Sequence, residues 1–346
     1  MQKVRVAVIG CGGIGAYHAR SYGALAGADL VAACDTDEAA LARLAGEHGL
    51  GKVYADYEDL LADGDIDAVS VCLPNRLHAP VSVAALQAGK HVLCEKPAAT
   101  SASQVERMFA ASAQADRKLM IGLTRRFGLD AVCLKGFIQA GELGHIYYAK
   151  CGYLRRSGIP GMGGWFTTKS EAGAGPIYDI GVHALDLTLW LMDNFEPASV
   201  MAAGYAKFGP RGEGAGDWGT PVPGGPFDVE DLATALIRMQ DGSSVAFEVS
   251  WAAHVGAGRF YVTLIGERAG ADLGTMTLFT QERGHPVDKK LQSASNDPYL
   301  AEMDHFLSCI IQDAQPSTTA REMIGLQSAL DAILESADTG QCVVIP

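Results

Sequence analysis

The sequence lacks the features that would place it at a membrane or on nucleic acid. No apolar run approaches the roughly 18 residues that a membrane-spanning helix needs. Lysine and arginine are nowhere clustered, and the net charge of −13 at pH 7 repels phosphate backbones and anionic lipids. The N-terminal stretch MQKVRVAVIG runs into glycines and lacks the apolar core of a signal peptide. We therefore expect a cytoplasmic protein that binds neither a membrane nor nucleic acid.

The cysteines also lack a pattern. Eight are scattered along the chain, with no Cys-x-x-Cys pair and no Cys/His cluster, so we predict reduced thiols that are mostly small core residues, and no metal site. Of the 346 residues, 48% are hydrophobic and 19% are charged. That composition and length predict a globular protein of two domains.

The first third of the chain alternates strand-like and helix-like segments. The strand-like segments are apolar and rich in β-branched residues, and they cover 4–9, 28–34, 68–73, 91–95 and 118–123. Strands that alternate with helices predict right-handed βαβ crossovers and a parallel sheet. Residues 1–123 are therefore predicted to form a doubly wound α/β domain.

Residues 124–346 follow a different pattern and are predicted to form an α+β domain. Strand-like runs succeed one another without helices between them, at 197–207, 232–240, 243–251 and 259–266. Such a succession predicts a mostly antiparallel sheet. The segment 209–227 holds seven glycines and four prolines around Trp218, which predicts a long loop, either a functional flap or a disordered excursion.

The segment VIGCGGIGAYHAR at 8–20 places closely spaced glycines between a predicted strand and a predicted helix. Asp35 ends the next strand, twenty residues beyond Gly15, as the dinucleotide-binding fingerprint requires. Such a carboxylate accepts hydrogen bonds from ribose hydroxyls and repels the 2′-phosphate of NADP. We therefore predict binding of NAD rather than NADP, with a purely structural glycine turn as the alternative. The turn residues expected to contact the cofactor are Gly10, Gly12, Gly13, Ile14 and Gly15.

Polar residues follow two further predicted strands. CLPNRLHAP at 72–80 places Pro74, Asn75 and His78 after one strand, and VLCEKPAAT at 92–100 places Glu95 and Lys96 after the next. Ligands of doubly wound sheets bind at the carboxyl ends of the strands, so these five residues are predicted to contact the cofactor. For the charged pair Glu95 and Lys96, a salt-bridged strand end is an equal alternative.

The segment GPIYDIGVHALDLTLWLMD at 175–193 predicts a largely buried helix. Asp179 and His183 are four residues apart and share one face of it, which Asp186 and Trp190 continue. A buried aspartate and histidine must find partners. From the residues alone three interpretations stay open: a satisfied core network, a catalytic site, or a metal site that includes Asp186.

The motifs GCGGIGAYH, PNRLH, CEKP and DIGVH, in this order, resemble the Gfo/Idh/MocA family (glucose–fructose oxidoreductase, inositol dehydrogenase, rhizopine catabolism) over nearly the whole chain. The resemblance implies an N-terminal Rossmann domain and NAD(P)-dependent oxidation or reduction of sugars and cyclitols. It also implies a C-terminal domain whose open sheet joins the subunits of a homodimer or homotetramer. Lys96, Asp179 and His183 match the family's catalytic lysine, aspartate and histidine, which contact the substrate. A cis bond before Pro97 fits the resemblance.

The segment YLRRSGIPGMGGWFT at 153–167 resembles a subgroup that acts on unphosphorylated sugars, glycosides or inositols. The resemblance makes Arg155 and Arg156 candidates for binding sugar hydroxyls, and Trp165 a candidate for stacking on a pyranose face. The alternative is that these three side chains only hold the loop in place.

Together these features predict an NAD-dependent dehydrogenase of a polyhydroxylated ring. His183 would accept the hydroxyl proton, since its unperturbed pKa lies near neutrality, and Asp179 would orient it. Lys96 would stabilise the negative charge that develops on the same oxygen. The alternatives are a keto-sugar reductase, an internal redox enzyme with tightly held NAD and, from another class, a non-catalytic nucleotide-binding regulator.

Overall fold

The computed structural model describes residues 3–345, and the chain divides into two compact units. Unit 1 comprises Met1–Thr124 and Asp297–Ile324. Unit 2 comprises Arg125–Asn296 and Gly325–Pro346. None of the helices between residues 3 and 345 combines the length and the apolar character that crossing a bilayer requires.

Unit 1 contains a parallel sheet of six strands in the order β3-β2-β1-β4-β5-β6, which is the doubly wound order of a Rossmann fold. The strands are β1 Val4–Ile9, β2 Ala28–Cys34, β3 Lys52–Tyr54, β4 Ala68–Val71, β5 His91–Glu95 and β6 Leu119–Gly122. The connecting helices are α1 Gly13–Ala24, α2 Glu38–His48, α3 Tyr57–Ala62, α4 Asn75–Gln87 and α5 Ala102–Ala115. The central strands β1, β4 and β5 are buried almost throughout, which explains their continuous apolar runs. The predicted α/β fold of this part is confirmed.

Unit 2 contains a sheet of nine strands in the order β14-β13-β12-β11-β7-β10-β9-β8-β15. Neighbouring strands are antiparallel except β7 and β10, which run parallel, so the prediction of a mostly antiparallel sheet is confirmed. The first strands are β7 Ile146–Leu154, β8 Pro197–Tyr205, β9 Leu232–Met239, β10 Ser244–Ser250 and β11 Arg259–Gly266. The others are β12 Gly270–Asp272, β13 Thr277–Glu282, β14 His285–Lys290 and β15 Val343–Val344. The helices are α6 Leu129–Gln139, α7 Lys169–Ala172 and α8 Val182–Met192, with a π-helical turn at Ile177–Gly181.

The packing of unit 1 differs from the predicted division of the chain into 1–123 and 124–346. Helix α9 (Pro298–Ile311) lies in unit 1, where the ring of Tyr299 packs 4.6 Å from that of Tyr17 on α1. Tyr17 also donates a hydrogen bond to Asp297 at 3.3 Å. The last helix, α10 (Ala320–Thr339), begins in unit 1 and ends in unit 2. A late segment of the chain thus belongs to the first unit.

All eight cysteines are free thiols, and six of them are buried. Burial raises the pKa of Cys11 and of Cys34 to about 12, and the charge of Asp35 adds to both shifts. These thiols are therefore protonated core residues.

Candidate active site

The glycine-rich turn between β1 and α1 has two kinds of glycine. Gly10 has a φ of +98°, and a Cβ there would collide with the carbonyl oxygen of Cys72. A Cβ on Gly15 would collide with the carbonyl oxygen of Gly10. At Gly12, in contrast, nothing lies within 4 Å of such a Cβ. Gly10 and Gly15 are therefore required by the packing of the turn, while Gly12 borders open space.

Helix α1 presents an uncapped N-terminus to that turn. Gly12 is its N-cap residue and offers no side chain, and the first turn of the helix contains no acidic residue. The first amides of any helix lack intrahelical acceptors and attract an anion. The amides of Gly13, Ile14 and Gly15 are thus available to a phosphate group.

Asp35 lies directly after β2, next to the glycine-rich turn. Its Oδ2 accepts a hydrogen bond from the amide of Cys11 at 2.5 Å, and its Oδ1 accepts one from the amide of Asp37 at 2.9 Å. Arg43 donates to the carbonyl oxygen of Cys11 at 3.2 Å. The carboxylate is therefore held at the turn by two backbone amides, and each of its oxygens can accept a further hydrogen bond.

The predicted cofactor residues after β4 begin helix α4. Pro74 is its N-cap residue and Asn75 its first residue. His78 is buried; its Nδ1 lies 2.7 Å from the carbonyl oxygen of Pro97, and its Nε2 lies 2.7 Å from that of Leu73. Burial lowers the pKa of His78, and the two carbonyl oxygens only partly oppose that shift. The imidazole therefore bridges the loops after β4 and β5.

Glu95 turns into unit 1 rather than towards solvent. Its Oε1 lies 3.0 Å from Nε2 of the buried His18, and its Oε2 accepts a hydrogen bond from the amide of Lys96 at 3.2 Å. Burial acts to raise the pKa of Glu95, but its interactions with His18 and with the charge and amide of Lys96 together outweigh burial, and the pKa lies below its ordinary value. Glu95 thus positions the backbone of Lys96. The bond between Lys96 and Pro97 is cis, as predicted.

His18 is a positioning residue that the sequence analysis did not single out. Its Nδ1 lies 3.1 Å from Oγ of Ser70, which also forms a 2.8 Å hydrogen bond with the hydroxyl of Tyr22. The signal available in the sequence was a histidine on the inner side of the first helix, which must be hydrogen-bonded if buried.

Asp179 and His183 stand out within a buried segment of unit 2. Asp179 and His183 are partly exposed, whereas all the remaining residues from 174 to 189 are buried. Asp179 lies in the π-helical turn and His183 in α8, so the buried helix predicted in the segment 175–193 is present but begins with a π-helical turn. Single π-helical turns of this kind occur frequently at functional sites.

Trp251 holds the carboxylate of Asp179. The indole Nε1 donates a hydrogen bond to Oδ2 of Asp179 at 2.7 Å, and the ring of Trp251 is fully buried. The amide of Trp251 in turn donates to the carbonyl oxygen of Asp231 at 2.9 Å. Trp251 ends the strand-like run predicted at 243–251, and the role of its polar atom was not predicted, although a buried indole N–H normally finds an acceptor.

Glu230 holds the start of the π-helical turn. Its two carboxylate oxygens accept hydrogen bonds from the amides of Gly175 at 3.0 Å and Ile177 at 3.1 Å. Burial raises the pKa of Glu230 to about 7, and these amides act against that shift. A Cβ on Gly175 would collide with the carbonyl oxygen of Glu230, which leaves glycine as the residue that fits there.

Asp186 and Trp190, which continue the predicted helix face of Asp179 and His183, both have partners within unit 2. Arg126 donates to both carboxylate oxygens of Asp186, with Nη2 and Oδ1 2.6 Å apart, and both side chains are buried. The carbonyl oxygen of Trp190 accepts a hydrogen bond from Lys135, whose ammonium also lies 5.1 Å from the Trp190 ring centre. Asp186 is therefore engaged by Arg126. Within residues 3–345 no group of three or more His, Cys, Asp or Glu side chains is placed to hold a metal.

The loop 209–227 packs along the segment 158–163. Backbone hydrogen bonds join Gly158 to Gly214, Gly161 to Trp218 and Val222 to Met162. A Cβ on Gly163 would collide with the carbonyl oxygen of Val222. Of the two alternatives for the loop, the structure shows an ordered segment; its many glycines allow two backbones to lie against each other.

The three predicted sugar-binding residues all fall in the segment 153–167, but their surroundings differ. The guanidinium of Arg155 packs 4.8 Å above the ring of Tyr153, and Arg156 is exposed. Trp165 is half-buried and stacks on Phe166, with ring centres 3.7 Å apart. One face of the Trp165 ring is therefore covered by protein.

Trp251→Phe tests whether the indole hydrogen bond positions Asp179. A hydrogen bond to a charged group contributes about 1.5–3 kcal/mol, so we expect kcat to fall by about tenfold or more while the KM for NAD stays unchanged. Trp190→Phe, also in unit 2, is the matched control and should retain kcat. If Trp251→Phe retains kcat with its fold intact by circular dichroism, the hydrogen bond has no catalytic role.

Comparison with known proteins gives matches to both parts of the chain. A family model described as an oxidoreductase family with an NAD-binding Rossmann fold (GFO_IDH_MocA) matches residues 4–123, and the model of the GFO/IDH/MocA C-terminal domain matches residues 132–272. The chain is 32% identical to D-glucoside 3-dehydrogenase of Escherichia coli (strain K12), over 97% of this chain and 96% of that protein. It is 28% identical to inositol 2-dehydrogenase of Acidothermus cellulolyticus, over 97% and 93% of the two chains.

A solved structure of levoglucosan dehydrogenase in complex with NADH and levoglucosan has a similar fold. Its TM-score is 0.85 at 23% sequence identity, and the match covers 100% of both chains.

Proposed function

Because the chain belongs to the Gfo/Idh/MocA family of NAD-binding oxidoreductases, we propose that it oxidises a secondary hydroxyl of an unphosphorylated sugar, glycoside or cyclitol with NAD as hydride acceptor. The observation that carries this proposal is the exposure of Asp179 and His183 alone within an otherwise buried segment. A core network would bury both side chains. The names of the similar dehydrogenases support a polyhydroxylated ring as substrate.

We propose that NAD binds at the glycine-rich turn of unit 1. The open space at Gly12 and the uncapped N-terminus of α1 fit a pyrophosphate, which would contact the amides of Gly13, Ile14 and Gly15. Asp35 would accept hydrogen bonds from the ribose hydroxyls and disfavour NADP through its charge. Pro74 and Asn75 would contact the cofactor, while His78 and Glu95 act through the backbones that they hold.

Asp35→Ala is expected to weaken NAD binding and to narrow the preference for NAD over NADP, since it removes a ribose acceptor and a repulsive charge together. Titration of the purified protein with both cofactors, followed by fluorescence, measures the two affinities. Asp29→Ala, an exposed position on the same strand, is the matched control and should bind as wild type does. A wild-type protein that favours NADP would overturn this assignment of Asp35.

We propose that three side chains carry the chemistry. His183 accepts the proton of the reacting hydroxyl, and Asp179 orients the imidazole and stabilises its charged form. Lys96 contacts the same oxygen and stabilises its developing negative charge. Bound NAD supplies the acceptor for the hydride that leaves the carbon, so that the alcohol becomes a ketone. Arg155, Arg156 and Trp165 bind the remainder of the substrate.

The experiment that tests this function is a screen of the purified protein with NAD against inositols, hexoses and glycosides, followed by the absorbance of NADH. We expect oxidation of at least one member. Turnover only with NADH and keto-sugars would favour the reductase, and exchange between two sugars without free NADH would favour an internal redox cycle. NAD binding without turnover in either direction would make the protein a nucleotide-binding regulator.

We also propose that the sheet of unit 2 joins copies of this chain into a homodimer or homotetramer. One face of this sheet exposes large apolar side chains, including Leu236 at 54% and Met201 at 50% of their surface. Met201 and Leu236 are register partners on β8 and β9, and exposed apolar side chains that lie side by side favour association between subunits. Light scattering gives the molar mass, which distinguishes a monomer, a dimer and a tetramer.

We propose a cytoplasmic location, since the eight free thiols fit a reducing compartment.

A further inference from the structure

The loops that follow β7, β8 and β10 border an open cleft of about 580 Å³ in unit 2. The side chains that matter for its chemistry are Arg155, Arg156, Phe208, Glu213 and His254. Because β7 and β10 are parallel neighbours, the loops that follow them both begin at the same end of the two strands. Trp251, which holds Asp179, follows β10 directly and precedes His254 by three residues. The cleft is therefore lined by the same post-β10 segment whose tryptophan hydrogen-bonds the proposed catalytic aspartate.

The cleft carries positive charge in a strongly acidic protein. The guanidinium of Arg155 donates to the Tyr153 hydroxyl at 3.3 Å and to the Gly158 carbonyl oxygen at 3.5 Å, both neutral acceptors. Among residues 3–345, no carboxylate forms an ion pair with Arg155 or Arg156. Glu213, the acidic side chain of the cleft, is paired with Arg211 at 2.7 Å. Two guanidinium groups thus stand without a compensating anion while the chain as a whole has a net charge of −13.

The walls of the cleft are held by backbone hydrogen bonds. Gly158 donates to Gly214 at 2.9 Å, and Ala253 donates to the carbonyl oxygen of Arg156 at 3.3 Å. The buried Asp231 accepts hydrogen bonds from the amides of Lys207, Phe208 and Gly209 through a single oxygen, at 2.6–3.0 Å. The Phe208 ring packs edge-on against the His254 ring with centres 4.9 Å apart. The cleft is therefore shaped before a ligand arrives, as small-molecule sites usually are.

We propose that this cleft binds a carboxylate carried by the sugar substrate, either on the sugar itself, as in a uronic acid, or on the aglycone of a glycoside. The inference rests on the proposed function and narrows its substrate class. A guanidinium matches the two oxygens of a carboxylate and binds them in a planar, paired geometry. The volume of the cleft falls within the range of about 300–1,000 Å³ that small-molecule sites occupy.

Two matched substrate pairs test the proposal. Methyl glucoside and methyl glucuronide differ only at C6, while phenyl glucoside and 4-carboxyphenyl glucoside differ only on the aglycone. For one of these pairs, we expect kcat/KM to be at least about tenfold higher for the acid than for its neutral partner, the worth of one charge-assisted hydrogen bond. The preference should shrink as salt is added, because ions screen the attraction.

Three variants locate the effect. Arg156→Gln should lower the ratio of acid to neutral kcat/KM by about tenfold. Glu213→Gln removes the acidic side chain of the cleft and should raise the ratio. Arg107→Gln removes one positive charge from an exposed helix position in unit 1 and should leave the ratio unchanged.

The outcomes separate this proposal from the proposed function. Oxidation of the neutral glucosides with no preference for either acid, or a preference that survives Arg156→Gln, would overturn the carboxylate site and leave the dehydrogenase intact. If no sugar, glycoside or cyclitol turns over, the proposed function fails, and calorimetric titration of the same pairs into the NAD-loaded protein decides the carboxylate site by the difference in affinity.

Discussion

His183→Asn is expected to lower kcat by about 10²–10⁴-fold while the fold and NAD binding are retained, which is the usual contribution of a general base. Asparagine keeps a polar side chain of similar reach but cannot take up a proton at neutral pH. Single-turnover kinetics with the preferred sugar measures the chemical step directly, and fluorescence titration measures NAD affinity. His285→Asn, at an exposed position of β14, is the matched control and should keep wild-type rates.

The pH profile tests the same assignment independently. A histidine base is active when deprotonated, so the wild-type rate should rise with pH somewhere near neutrality, and that rise should vanish in His183→Asn. Glu230 titrates in the same range, since burial raises its pKa to about 7. Glu230→Gln is therefore the necessary comparison, and it should retain the rise. Loss of the rise in Glu230→Gln, with its persistence in His183→Asn, would assign the pH dependence to the carboxyl group.

Lys96→Met is expected to lower kcat by a similar factor, about 10²–10³-fold, because it removes the charge that stabilises the developing alkoxide. Methionine preserves the length of the chain and the apolar contacts of its methylene groups. The backbone of Lys96 remains held by Glu95, so the variant should fold. Lys3→Met, an exposed lysine of unit 1, is the matched control.

The double variant Lys96→Met/His183→Asn shows whether the two residues serve one transition state. Residues that act as a unit are strongly non-additive, so the double variant should lose much less activity than the product of the two single losses. A loss equal to the full product would mean that the two side chains act in separate steps, and the proposed mechanism would fail.

Much of unit 1, including its glycine-rich turn, could be predicted from the amino-acid sequence. β1 and β2 begin and end at the residues that the apolar pattern predicts, Val4–Ile9 and Ala28–Cys34. Such strands can be predicted from the local sequence, because burial in the sheet selects a nearly continuous apolar run. The glycine-rich turn and Asp35 could also be predicted from the sequence, since a tight turn before a helix restricts the residue type at each position. Short or exposed strands such as β3 and β14 carried no such signal and were missed.

The hydrogen-bond partners that hold the candidate residues could be identified only from the folded structure. Trp251 meets Asp179, and Glu230 meets the amides before it, across more than fifty residues of sequence. His18 and Glu95 meet inside unit 1 across a similar separation. The π-helical turn that carries Asp179 depends on these contacts, and the helical pattern of apolar residues continues through it unchanged. Periodicity reports which face of an element is buried, whereas hydrogen-bond partners from distant segments are chosen by packing, which no local pattern records.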